Sequence, residues 1–335
     1  MRVLACFIAA LTSGLAVTAA EQPYHLVKTI SIGGPGGWDY ISIDPQARRL
    51  YVSHATKIIV ADADTGAVVG EVPDTAGVHG FAVAADLGRG FSTNGRENTS
   101  TIVDLKTLKT IATVETGGNP DAVLYEPDRK EVYTFNGSGK SATVIDAAAG
   151  KVVATIDLGG KPEAAVADSA VHRVFVNIED SGAIKVIDSA SHSVVATWPL
   201  AGCEEPTGLA YDAAHHRLFS ACHNKVMAVT DSTTGKAVTS IPIGARVDGA
   251  AFDPQSGYVF SSNGEGTVTI ARVDAAGKAT VVQTLTTQPS ARTIVFDPST
   301  HNIYLPAATM NPPQEPGGRP QMAPDSFKVL VYGPK

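Results

Sequence analysis

Between Trp38 and the C-terminal end, the sequence repeats one pattern seven times at a spacing of 40 to 44 residues. A period of that length requires a ring or array of small units that bury their faces against one another. One residue opens each unit: Asp39, His79, Asp121, Glu163, Thr207, Asp248 and Arg292. An apolar run follows, and in most units an acid stands five positions on, as in Asp39 to Asp44 and Asp248 to Asp253, with Ala84 at that place in the second unit. After a turn comes a second run marked by an aromatic, namely Tyr51, Phe91, Tyr133, Phe175, Phe219, Phe260 and Tyr304. A third run such as Thr143 to Asp146 and a fourth such as Val152 to Ile156 complete the unit, with turn residues between them at Asp62 to Gly66, Asp146 to Gly150 and Asp231 to Gly235.

These runs alternate and are rich in β-branched residues, and none carries ten residues of helical period. The reading is all-β: a seven-bladed β-propeller of four-stranded blades, forming a single domain over 21–335. The seventh unit supplies three strands, at Thr293 to Phe296, Ile303 to Leu305 and Lys328 to Val331, and the sequence ends before a fourth. His25 to Gly33 resembles the fourth strand Lys151 to Gly159, so the N-terminal strand is expected to complete the last blade and cover its edge.

Residues 1–20 read as a cleaved signal peptide: Arg2, a short apolar stretch from Val3 to Val17, and small residues at Thr18 to Ala20. The stretch is too short to span a membrane as a helix. A periplasmic or secreted protein with no transmembrane segment after cleavage is expected. Without Arg2 the mature chain carries 25 basic against 33 acidic residues, a net charge near −8. That balance argues against nucleic acid as a partner. Cys203 precedes the first strand of unit five and Cys222 ends its second, side by side on adjacent antiparallel strands. In an oxidising compartment they are expected to form a disulfide, the alternative being thiols used as metal ligand or nucleophile.

Tyr51-Val52-Ser53-His54, Val144-Ile145-Asp146 and Val153-Ala154-Thr155-Ile156 recur in variant form along the mature chain. In this pattern the chain resembles the YVTN/YncE family of bacterial seven-bladed propellers. The resemblance implies an extracytoplasmic propeller, and analogy with lactonase-type propellers adds an enzymatic option.

With the first strand innermost, the opening residues form a ring at one channel mouth, where repeat symmetry brings acids, amides, histidines and an arginine together. Three positions after each aromatic come His54, Asn94, Asn136, Ile178, Cys222, Asn263 and Ala307, with Asn177 and His223 one residue off register. Candidate ligand-binding residues are therefore Trp38, Asp39, His54, His79, Asp121, Glu163, His223, Asp248 and Arg292. Each also has a plain structural role open to it, since polar groups at strand ends cap the neighbouring backbone and line water-filled channels. The turn aspartates Asp44, Asp62, Asp146, Asp212, Asp231 and Asp253 are read as structural, and His215 and His216 as solvated on the opposite face. A divalent metal would find acceptable ligand types in His54, His79, His223 and Glu163, or in Asp39 as carboxylate.

Gly33 to Gly37 is glycine-rich but lacks a following Lys-Ser/Thr and opens no helix, so it is not a phosphate loop. The Pro-rich insertion at about 308–326 falls on the mouth face as a lid or as a solvated excursion. No Gly-x-Ser-x-Gly or His-Glu-x-x-His signature occurs. The leading expectation is a monomeric propeller that binds a small molecule or a protein partner at the channel mouth. The alternative is a metal-assisted hydrolase or lyase acting on a lactone or sugar-like substrate, with Glu163 or Asp121 as ligand or base, His79 as acid/base and Arg292 holding an anion.

Overall fold

The computed structural model describes residues 23–313, 315 and 320–335. The expected signal peptide and the tip of the Pro-rich insertion lie outside the described residues. Seven four-stranded antiparallel sheets form the blades of a propeller, and a two-stranded hairpin, Met310–Asn311 with Gln321–Met322, stands on the insertion. The first blade consists of Trp38–Asp44, Arg49–His54, Lys57–Asp62 and Val68–Val72, and the next five repeat that order. In the seventh blade the order is Val295–Phe296, Ile303–Ala307, Lys328–Pro334 and then Tyr24–Ser31. Tyr24 to Ser31 runs antiparallel to Pro334 through Lys328, so the N-terminal strand closes the ring as its sequence implied.

Position in the blade dictates composition. First strands of successive blades touch one another around the channel. Space there is short: a Cβ on Gly208 would sit 2.6 Å from the backbone nitrogen of Ala250. Second strands are covered on both faces, and every residue of Glu131–Asn136 is buried. Their seven aromatic markers are each at most 2% exposed and bridge blades: Tyr51 stacks on Phe81 at 4.7 Å, and Phe219 on Phe252 at 5.8 Å. Burying such a side chain contributes roughly 2–3 kcal/mol, so these residues are the main adhesive between blades. Fourth strands form the outer rim and face water, as the mostly exposed Lys151–Asp157 does.

Two kinds of polar device fix the geometry. Turn aspartates accept backbone N–H groups two and three residues ahead: Asp44 from Gln46 and Ala47, and Asp146 from Ala148 and Ala149. Inside the ring, side chains tie one blade to the inner strand of the next. Thr93 Oγ1 donates to the Asp121 carbonyl, Asn177 Nδ2 to the carbonyls of Thr207 and Gly208, and Thr293 Oγ1 to the Asp39 carbonyl. Cys203 and Cys222 form a disulfide, Cα to Cα 5.5 Å, across the start of the fifth blade.

Candidate functional site

Each ring residue in the first six blades is the second residue of its inner strand. In all six, the pairing to the second strand shifts register just there, between Trp38 and Ile41 in the first blade and between Val78 and Phe81 in the second. Such a bulge re-aims a side chain and releases it from the pleat. The repeat thereby delivers polar side chains to the mouth, and the divergent residue type at that one position sets its chemistry.

Five of the seven residues form one continuous ionic arc. Nδ1 of His79 lies 2.7 Å from Oδ2 of Asp39 and 3.5 Å from Oδ1 of Asp121. The other oxygen of Asp39 accepts from Nη2 of Arg292 at 3.0 Å. Nε of Arg292 sits 2.7 Å from Oδ2 of Asp248, an ion pair by distance although not aligned as a hydrogen bond. Opposite charges thus alternate from Asp121 through His79, Asp39 and Arg292 to Asp248. On the fourth blade, Lys161 reaches Glu163 at 2.8 Å and also pairs with Glu179. Thr207 is the neutral member, its hydroxyl donating to the Val247 carbonyl.

Burial governs the protonation of these groups. It pushes the carboxyls of Asp121 and Asp248 up to about 6, with His79 and Arg292 respectively pulling them back. It pushes Glu163 up to about 8, with nearby Asp121 adding to the shift and Lys161 opposing it. For His79, burial disfavours the charged ring, but Asp39, Asp121 and Glu163 outweigh it and raise its pKa above the usual value.

The other predicted residues fall in three settings. Asn94, Asn136 and Asn263 are fully buried and donate to paired hydroxyls of the third strand, such as Thr99 and Thr101 for Asn94, so they tie second strand to third within a blade. At the equivalent position in the first blade, His54 is buried and stacked on Phe327 at 4.5 Å. Burial lowers its pKa, and the carbonyls of Gly37 and Gly33 oppose that shift without being aligned as hydrogen-bond acceptors. His223, following the disulfide, is half-exposed and pairs with Glu205 at 2.9 Å. The four histidine and glutamate residues named as metal ligands are therefore dispersed. His79 groups with Asp39 and Asp121, their ligand atoms all within 4.8 Å of one another, and His223 groups in the same way with Glu179 and Glu205. Trp38 packs against Phe327 at 5.2 Å and lines the mouth cavity of about 410 Å³ together with Asp39, His79, Arg96, Asn119 and Arg292. On the opposite face, His215 pairs with Asp212.

Arg96 and Asn119 at the mouth, and Tyr40 beneath it, are site residues that the sequence reading did not name. The side chain of Tyr40 packs against the core of the third and fourth blades and lines a 160 Å³ cavity with Phe81, Ala122 and Ala164, flooring the channel beneath the ring. Burial, then the fields of Asp121, Glu163, Asp248 and Asp39, hold its hydroxyl protonated well above the usual range. A signal for it was present. At the position after the ring residue the other blades carry Gly80, Ala122, Ala164, Gly208, Gly249 and Thr293, so one large side chain fills a space that six small ones leave.

Among solved structures, the chain superimposes on Kuenenia stuttgartiensis hydrazine synthase with a TM-score of 0.71 at 17% identity, covering 88% of this chain and 96% of that one. It superimposes on a chain of the mitotic checkpoint complex with a TM-score of 0.78 at 12% identity, covering 99% and 98%. At such identities the likeness is one of fold. No curated protein matches the chain in sequence. The family model described as the cytochrome D1 heme domain matches residues 45–289, which is most of the propeller, and the chain belongs to the cytochrome D1 heme domain family.

Proposed function

We propose that this protein is a ligand-binding propeller whose ligand seats in the channel mouth on His79 and Arg292. The carrying observation is the bridging role of Asp39, which holds the imidazole and the guanidinium by opposite oxygens at 2.7 and 3.0 Å and so fixes them beside one cavity. A pre-positioned pair of donors recognises an acidic or strongly accepting group without a further ordering cost. The disulfide supports an exported protein in an oxidising compartment, in keeping with the YVTN/YncE resemblance. No helix of the described residues is long and apolar enough to cross a membrane.

The family description raises the question of heme, and the histidines at the mouth do not fit an iron tetrapyrrole. A histidine serving as axial ligand needs one open ring nitrogen with room beside it for the macrocycle. With Nδ1 of His79 held by Asp39, Nε2 is the ligand atom left, and that edge lies so close to Gly95 that a Cβ there would sit 2.6 Å from it. His54 is enclosed beneath Gly34, where a Cβ would meet Nε2 at 3.3 Å. His223 stands beside Glu205, away from apolar walls.

A second reading, metal-assisted hydrolysis or lyase chemistry, is favoured by the grouping of Asp39, His79 and Asp121 and by the raised carboxyl of Glu163, a general acid or base poised near neutral pH. A thermal-shift panel of metabolites and divalent metals, followed by turnover assays on every hit, separates the two. Stabilisation by organic anions that is lost in His79→Ala and Arg292→Ala, without turnover, supports binding. Stabilisation by metal accompanied by turnover supports the enzyme and refutes the first reading.

A further inference from the structure

Beside the mouth, the glycine loop and the Pro-rich insertion enclose a second cleft of about 550 Å³, lined by Pro35, Trp38, Met310, Met322 and Pro324 among others. It shares Gly37 and Trp38 with the mouth cavity, so the two adjoin across these residues. Met310 and Met322 stand directly opposite each other in the hairpin ladder, which places both thioethers on one face. The chain has only four methionines, and Met310 is 39% exposed. Thioethers are adaptable apolar surface that moulds to a ligand body, and Trp38 adds a flat wall backed by Phe327. The single acid of the cleft, Asp325, accepts the backbone N–H of Gly34 at 3.2 Å.

The mouth half has the opposite character. Its one carboxylate, Asp39, already holds His79 and Arg292, whereas no carboxylate among the described residues pairs with Arg96, whose stem lies over Gly77. Asp248 and Asp121 also stand against Arg292 and His79, so Arg96 is the one cation lining this cavity that no carboxylate among the described residues neutralises. An apolar cleft beside an unpaired guanidinium asks for a ligand with one apolar body and one acidic head.

Resting on the mouth-binding reading above, we propose that the two cavities form one bipartite site for an amphipathic organic carboxylate. Its body lies on Trp38, Met310 and Met322, and its carboxylate meets Arg96 and Arg292. The Pro-rich insertion is then one wall of the site.

Calorimetric titration of the full chain with decanoate and 2-naphthoate, against decylamine and 2-naphthylmethylamine, tests this, with Trp38 fluorescence as a second readout. The carboxylates should bind and the amines should not. Arg96→Gln and the double variant Met310→Ala/Met322→Ala should each weaken binding by about tenfold or more, while His215→Ala on the far face leaves it unchanged. Equal or tighter binding of the amines overturns the proposal, as does unaltered affinity in Arg96→Gln or in the methionine variant. If those variants bind normally and His79→Ala does not, the mouth reading stands and the bipartite site falls. If no carboxylate of the panel binds the wild type, this ligand class is refuted, and the wider metabolite and metal screen decides the mouth reading separately.

Discussion

Asp39 holds His79 through Oδ2 and Arg292 through Oδ1, joining the second and seventh blades through a side chain of the first. That carboxylate is mostly buried, and removing it leaves His79 with Asp121 alone and Arg292 with Asp248 alone, with their shared hydrogen-bond acceptor gone. Asp39→Ala should destabilise the propeller by about 2 kcal/mol, the usual scale for hydrogen bonds to a charged group. Chemical denaturation measures the loss. Asp39→Asn should, in addition, lower the pKa of His79, because the carboxylate that favours its charged form is gone, and imidazole NMR titration reads that directly.

Raised carboxyl pKa values make stability fall with pH. For Asp121 and Asp248 the folded state retains protons that the unfolded chain releases from about pH 4, so stability is lost as pH rises toward about 6. For Glu163 the window runs from its ordinary 4.5 to about 8. The melting temperature should therefore decline between pH 5 and pH 8. Glu163→Gln, neutral throughout, should flatten the upper part of that decline, and an unchanged slope in this variant would show that Glu163 ionises normally.

The disulfide closes a segment with a sequence separation of 19 residues. Cys203→Ser with Cys222→Ser should cost about 3 kcal/mol, the scale expected for a loop of this length. Mass spectrometry of unreduced protein under alkylation should find neither thiol free. Two alkylated cysteines would contradict the bridge.

Deleting residues before Trp38 removes Tyr24–Ser31 and exposes the edge of Lys328–Pro334. Calorimetric unfolding of that shortened chain should lose its single cooperative transition and become concentration-dependent through edge pairing. A melting curve identical to that of the full chain would refute closure by the N-terminal strand.

What was legible in the sequence followed from repetition. Four strands per unit, the aromatic of each second strand, the turn aspartates and the strand missing from the seventh blade are all local or periodic properties, so a pattern of residues sufficed to place them. The disulfide was equally legible, because two adjacent strands of one blade bring Cys203 and Cys222 together. The site was legible only as a ring of positions. That Asn94, Asn136 and Asn263 turn inward to hydroxyls is a matter of packing within the blade, and that Asp39 turns toward the mouth depends on a bulge at the second residue of its inner strand; the sequence pattern displays neither.

The sequence by itself determined the number of blades, their strand order and the position at which each blade offers a variable side chain. Only the tertiary structure decided which of those side chains meet. His79 finds Asp39 across 40 residues, Arg292 finds it across 253, and Tyr40 floors the channel against blades it does not belong to. Ring closure sets those distances. An ion pair depends on separations of a few ångströms between residues far apart in the chain, and periodicity alone cannot carry that information.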